Sequence, residues 1–452
     1  MSTQAENMDM LQGSLMDKIL KFALPLAATG ILQQLFNAAD VAVVGQFAGK
    51  NAMAAVGSNS PVIGLLVNAF VGIALGANVV ISRFTGQKNG EGVRKAVHTS
   101  VVFAVISGLA LMILGEGIAP FLLRLLSVPD DVFPLSLLYL RVYLLGLPVI
   151  FLYNFESAIF RSQGDTRTPL ICLVISGVIN VALNLFFVRV LGMTVDGVAT
   201  ATVISNLISS AMLFYLLCHR SDFIRLQISD LGIDRQILAA MVRIGLPAGL
   251  QGMVFSVSNL CIQSAINRLG PDVMAASSAA FNIEIFAYYV INSFGQACTT
   301  FVGQNYGAGN IERCRKAAKV SLILDFAITV VISLILILFG KPLLGLFNRD
   351  PVVASIGMIR LRYIVSAEVV NVVMEITSGA MRGYGYSLVP AVITFAGVCG
   401  IRITWVYTVF QTSQNFHTLM MVYPISWVVT AIALCIAYIT FMRRFRDEKI
   451  HP

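Results

Sequence analysis

Apolar stretches of bilayer-crossing length follow one another through almost the whole of this sequence, and that succession restricts the fold more than any other feature. Cut at its charged and turn-rich clusters, the chain gives twelve such stretches: 18–45, 52–80, 95–120, 133–160, 168–190, 196–218, 240–267, 273–302, 317–340, 353–381, 388–410 and 416–442. Hydrocarbon offers no water to the backbone N–H and C=O groups, so only helices or closed barrels can cross it. Barrel strands need roughly 10 residues, and these runs are far longer. The expected fold class is therefore an all-α polytopic membrane protein with twelve transmembrane helices. Charge content agrees, since only 12% of the residues are charged against about 25% in soluble proteins. Residues 1–17 are polar and the first apolar run is too long for the core of a signal peptide. That run is expected to act as its own insertion signal.

Positive charge sorts by side. With the N-terminus placed in the cytoplasm, most of the 31 Lys and Arg residues fall on cytoplasmic segments, among them Lys18, Lys21, Lys88, Arg94, Lys95, Arg161, Arg220, Arg235, Arg313, Lys316, Arg382 and Arg443. The positive-inside rule then puts both termini in the cytoplasm. The net charge of +8 reads as membrane topology and not as a nucleic-acid surface.

The chain also repeats itself. Leu24-Pro25 recurs as Leu246-Pro247, Gly86-Gln87 as Gly303-Gln304, and Arg94-Lys95-Ala96 as Arg315-Lys316-Ala317. Arg161-Ser162-Gln163-Gly164 with Pro169 recurs as Arg382-Gly383-Tyr384-Gly385 with Pro390. Each repeat unit holds six spans, an even number, so the halves have one orientation and are related by a pseudo-two-fold axis along the membrane normal. The expected organisation is a cytoplasmic tail (1–17), an N-terminal six-helix lobe (18–218), a polar cytoplasmic linker (219–239), a C-terminal six-helix lobe (240–442) and a cytoplasmic tail (443–452).

Chemistry is thin outside the spans. There is no GxxxxGK[ST] loop for ATP, no paired His or CxxC spacing for a metal, and no nucleophile with a base beside it. The seven cysteines read as small buried hydrophobes. No enzyme activity, cofactor or resident metal is expected. Two related bundles without an ATPase motif point to a secondary transporter. A channel fits less well, because no re-entrant filter motif is present.

Polar groups inside the spans are the remaining signal. Asp40 is the only acid of the first span, where a carboxylate costs on the order of 2.5 to 3.5 kcal/mol. Gln33, Phe36, Asn37 and Asp40 follow i, i+3, i+4, i+7 spacing and share a helix face. Pro25 gives the same helix a bend point. Ser176, Asn180 and Asn184 line one face of the fifth span, and Thr202, Ser205 and Ser209 one face of the sixth. Such rows can hold a cation or simply join helices by hydrogen bonds. On the eighth span, Phe281, Glu284 and Tyr288 place an acid between aromatics, a pattern suited to a lipophilic cation, or else a structural acid paired to another helix. Under the repeat Glu375 corresponds to Asn154, and both should face their lobe's interior. Glu156 is expected to pair locally with Arg161.

The stretch LPLAATGILQQLFNAADVAVVGQFAGKNAMAAVG resembles the first helix of the multidrug and toxic compound extrusion (MATE) family. The Gly-Gln loops after the second and eighth helices and the R(S/G)xG…P turns resemble that family as well, and the resemblance covers roughly 15 to 442. It implies a twelve-helix, two-lobed antiporter that exports organic cations in exchange for H⁺ or Na⁺ by alternating access. It also implies a cation-coupling set of Asp40, Asn180, Asn184 and Thr202, joined by Gln34 and Asn37. The residues facing the cargo would be Gln33, Phe36, Tyr139, Asn154, Phe281, Glu284, Tyr288 and Glu375. Asn184 stands where some members have Asp, which leaves one carboxylate in the set. Hard cations favour charged oxygens, so H⁺ is the expected coupling ion and Na⁺ the alternative. The acids that some members carry on helices seven and ten are not reproduced; the position on helix ten holds Asn371. The competing reading is a lipid-linked oligosaccharide flippase of the same broad architecture, which would need a wide basic cavity. Here the charges within spans are mainly acidic (Asp40, Glu284, Asp325, Glu368, Glu375), although Arg141, Arg360, Arg362 and Arg402 also lie there. The resemblance places the protein in a bacterial cytoplasmic membrane, working as a monomer, with the bilayer, organic cations and H⁺ or Na⁺ as its partners and no nucleic acid.

Overall fold

The computed structural model describes residues 8–126, 128–220, 222–347 and 350–447. They form helices and connecting turns, with no strand among the described residues. The main elements are α1 (Leu15–Phe47), α2 (Lys50–Gly86), α3 (Gly90–Leu125), α4 (Phe133–Leu145), α5 (Leu147–Ser162), α6 (Arg167–Leu185), α7 (Val195–Cys218), α8 (Arg235–Asn267) and α9 (Pro271–Gly307). They continue as α10 (Ile311–Leu338), α11 (Gly340–Phe347), α12 (Pro351–Gly383), α13 (Leu388–Thr394), α14 (Ile401–Tyr407), α15 (Val409–Ser413), α16 (Phe416–Met420) and α17 (Val422–Asp447). Short π-helical turns close α6 (Phe186–Val190) and join α13 to α14 (Phe395–Gly400).

Eleven of these stretches are long and apolar enough to cross a membrane, and a twelfth results when α4 and α5 are counted as one bent span. The sequence predicts a single helix over 133–160. The structure instead bends by 50° between Leu145 and Leu147. Pro148 stands in the first turn of α5, where its missing N–H and its ring prevent the helix from running straight through. Gly146 fills the corner because any Cβ there would press into Val203 of α7.

The repeated loops fold alike. Asn89 caps α3 by accepting a hydrogen bond from the Gly92 N–H (2.9 Å), and Asn310 caps α10 by accepting from the Arg313 N–H (3.0 Å). Each cap satisfies a backbone donor that the first helical turn leaves open. Glu91–Lys95 (2.6 Å) and Glu312–Lys316 (2.7 Å) then bridge the first turns of the same two helices. Even the backbone matches, for Lys88 (φ 55°) takes the left-handed conformation that Gly309 (φ 74°) takes in the second half.

The chain divides into two compact units. The first centres on Ala28–Gly249; the second joins Met10–Ala27 to the residues from Leu250 onward. The boundaries therefore fall inside α1 and α8, close behind Pro25 and Pro247, whereas the sequence reading sets them at the 219–239 linker. Packing explains the difference. In the first unit Gly72 and Gly76 of α2 meet Gly245 and Gly249 of α8 so closely that a Cβ on any of them would strike backbone. Paired small residues four apart allow this approach between membrane helices. In the second unit Phe22 of α1 stacks edge-on against Phe301 of α9 at 6.0 Å. Asn305 donates to the Met10 carbonyl (3.2 Å), and Arg313 donates to the carbonyls of Gln12 (2.8 Å) and Gly13 (3.0 Å). Pro25 lies within an α1 that is helical from Leu15 to Phe47.

Candidate functional site

Three helices of the first unit converge on Asp40. The approach of α1 to α6 rests on one glycine: a Cβ at Gly177 would overlap the Phe36 ring. Gly177, Asn180 and Asn184 are i, i+3, i+7 on α6, so the contact that seats Phe36 also brings both amides toward Asp40. Asn184 Nδ2 donates to Asp40 Oδ1 at 2.5 Å and to Asn180 Oδ1 at 3.1 Å. From α7, the Thr202 hydroxyl points to Asp40 Oδ2 (3.1 Å), with the Val198 carbonyl as its competing acceptor (2.9 Å). Asn180 Nδ2 continues the chain to Ser205 Oγ (3.4 Å), which donates to the Thr202 carbonyl (2.9 Å). Asp40, Asn180, Asn184 and Ser205 are all buried.

This network holds a carboxylate through neutral donors alone. Asn184 Oδ1 is buried and accepts from nothing, so the acid is surrounded by donors and one spare acceptor. A carboxylate offers about four lone-pair positions when ionised and becomes a donor itself when protonated. The arrangement can therefore serve either state of Asp40 by rearranging its amides. Among the described residues no group of three His, Cys, Asp or Glu side chains is placed to hold a metal.

The other residues singled out in the first unit divide by environment. Gln33 and Asn37 are exposed on α1, Gln34 and Phe36 are half-buried, and Tyr139 is buried. Tyr139 stacks on Tyr143 with ring centres 6.3 Å apart, and both lie within electrostatic reach of Asp40. Tyr143 escaped the sequence reading, although its i+4 spacing from Tyr139 was there to be seen. Asn154 turns its amide back to the Ile150 carbonyl of its own helix (2.8 Å). Glu156 is not paired with Arg161; it accepts from the Ser210 hydroxyl of α7 at 2.8 Å, and its Oε1 has no partner.

In the second unit the acids are engaged. Glu284 is clamped by Arg360, Nη2 to Oε1 at 2.5 Å and Nε to Oε2 at 3.1 Å, and Ser277 accepts from Arg360 Nη1 (2.6 Å). The same guanidinium lies 5.8 Å from the Phe281 ring centre. The protein's own cation thus occupies the acid-and-aromatic pattern that reads in sequence as a receptor for an organic cation. Tyr288, the third member, is exposed. Glu375 accepts from Arg382 at 3.2 Å, Glu368 from Asn371 at 2.9 Å, and Asp325 from Thr329 at 3.3 Å.

Comparison with known proteins agrees with the repeat. The MatE family model matches twice, over residues 25–186 and 247–408, the same displacement that separates Leu24-Pro25 from Leu246-Pro247. The chain is 27% identical to the probable multidrug resistance protein YoeA of Bacillus subtilis (strain 168), covering 91% of both chains. It is 27% identical to the probable multidrug resistance protein NorM of Thermotoga maritima, covering 88% of this chain and 86% of that one. Its fold superposes with a TM-score of 0.91 on the outward-facing conformation of a multidrug resistance MATE family transporter, at 23% identity and over 98% and 99% of the two chains. With both halves matched by the family model, and with the fold shared along the whole length, this chain belongs to the MATE family of multi-pass membrane transporters.

Proposed function

We propose that the protein is a secondary active multidrug exporter of a bacterial cytoplasmic membrane. It carries lipophilic organic cations outward in exchange for H⁺, with Na⁺ the less favoured ion, by alternating access and with both termini in the cytoplasm. The observation that carries this reading is the buried Asp40 carboxylate, tied to α6 through Asn184 and to α7 through Thr202. The names of its relatives, multidrug resistance proteins, support the cargo class. A lone carboxylate among amides and a hydroxyl suits a proton better than a hard cation, which favours more charged oxygens.

Protonation would convert Asp40 from an acceptor for Asn184 into a donor. Asn184 Oδ1, now without a partner, is the acceptor that a turned amide would present. Exchange of one proton would then re-pair α1 with α6, and that change of pairing is the coupling step. Asn at position 40 has the size of Asp but cannot ionise. Asp40→Asn should fold and insert normally, and in proteoliposomes its dye efflux under an imposed pH or Na⁺ gradient should fall to the level of protein-free vesicles. Gradient-driven efflux equal to that of the parent would overturn the assignment. Parent efflux that follows an Na⁺ gradient and ignores a pH gradient would reverse the choice of ion.

A further inference from the structure

Arg402 of α14 is the largest side chain that the described fold buries completely. Two neutral acceptors meet it: Asn259 Oδ1 at 3.2 Å from Nη1 and Ser426 Oγ at 3.3 Å from Nε. No carboxylate among the described residues pairs with it. Glu284 is committed to Arg360, and Glu368 to Asn371. The Tyr423 ring centre lies 4.3 Å from Arg402 and 5.8 Å from Arg360, so two guanidinium groups crowd one aromatic ring. Trp427, 5.7 Å from Arg402, is buried as well, and its Nε1–H donates to nothing. A buried charge without a counter-charge and a buried N–H without an acceptor are both costly. Here they are neighbours, on α14 and α17 of one unit, and a single group would relieve both: an anion that accepts hydrogen bonds.

We propose that Arg402 and Trp427 Nε1 form a carboxylate-binding subsite, lined by Tyr423, for the acidic group of an aromatic cargo. The subsite deepens the export reading on which it rests, by extending the cargo to compounds that carry a carboxylate as well as, or in place of, a positive charge. Guanidinium and indole N–H donors suit the two oxygens of a carboxylate, and the Tyr423 and Trp427 rings favour an arene beside the charge. The subsite is closed as it stands, so binding requires α14 and α17 to part.

The chain has two tryptophans, Trp405 and Trp427, and Trp405→Phe leaves the second as the only indole. This variant, purified full-length into nanodiscs with no ion gradient, is titrated with benzoate, benzamide and chloride at constant ionic strength. Benzoate should change the Trp427 emission saturably, benzamide should bind at least tenfold more weakly, and chloride should neither reproduce the change nor compete. Arg402→Gln should weaken benzoate at least tenfold. Asn259→Asp should do the same while raising the melting temperature, because it gives Arg402 a carboxylate of the protein's own. That variant decides the matter if Arg402→Gln does not fold. No benzoate response, equal binding of benzamide, full competition by chloride, or unchanged benzoate binding in Asn259→Asp would each overturn the proposal. Transport takes no part in the readout, so such a result would leave the export reading intact.

Discussion

Truncating Glu284 to Ala leaves the buried Arg360 without its counter-charge. Removing one partner of a buried ion pair costs about 3–5 kcal/mol, whereas replacing both by apolar groups of similar volume is often neutral. Glu284→Ala should therefore lower the melting temperature of the purified protein sharply, and the double variant Glu284→Leu/Arg360→Met should recover most of the loss. An equal loss in single and double variants would show that the pair is not what stabilises this region. The single residues differ in how far sequence alone exposes them. Asn180 and Asn184 stand one helical turn apart, and the first-helix acid is conspicuous in hydrocarbon, so the Asp40 group is readable from local spacing together with the family resemblance. Glu284 and Arg360 are 76 positions apart, as Glu156 and Ser210 are 54 apart. No periodicity announces such partners; only the folded chain brings them together.

At the scale of helices, glycine decides how near two rods can lie. Gly177 is the position where α6 accepts the Phe36 ring of α1. Gly177→Val should push α1 away from α6, lengthen the Asp40–Asn184 contact and reduce ion-driven efflux severalfold, with about 1–3 kcal/mol of overpacking. Phe36→Ala in the same chain should restore much of the efflux by making room. If Gly177→Val transports like the parent, the seating of Phe36 does not set the geometry of Asp40. The Gly72/Gly76 and Gly245/Gly249 pairs were also present in the sequence as small residues four apart. Spacing alone could not say which helix each pair faces, and the crowding that leaves room only for glycine at Gly146 comes from Val203, far along the chain. Helix existence was legible; helix partners were not.

For the whole molecule, the internal repeat was the strongest signal, because four motifs recur in order and each half must bury its own spans. It conveys two six-helix halves correctly but not where one compact unit ends. A chain cut in the 219–239 linker gives fragments that are both incomplete: the first lacks the α8 start that Gly72 and Gly76 receive, and the second lacks the α1 start that Phe301 and Asn305 receive. Neither fragment expressed alone should yield a protease-resistant product. Co-expression should restore both the product and dye efflux, and a stable, resistant single fragment would contradict the division described above. The same exchange sets a clock on biosynthesis. Asn305, which binds the Met10 carbonyl, is made 295 residues later, which at 5–20 residues per second amounts to about 15–60 s. For that interval the first turns of α1 lie in the membrane without their partners. The beginning of the chain therefore acquires its contacts with α9 and α10 only late in synthesis.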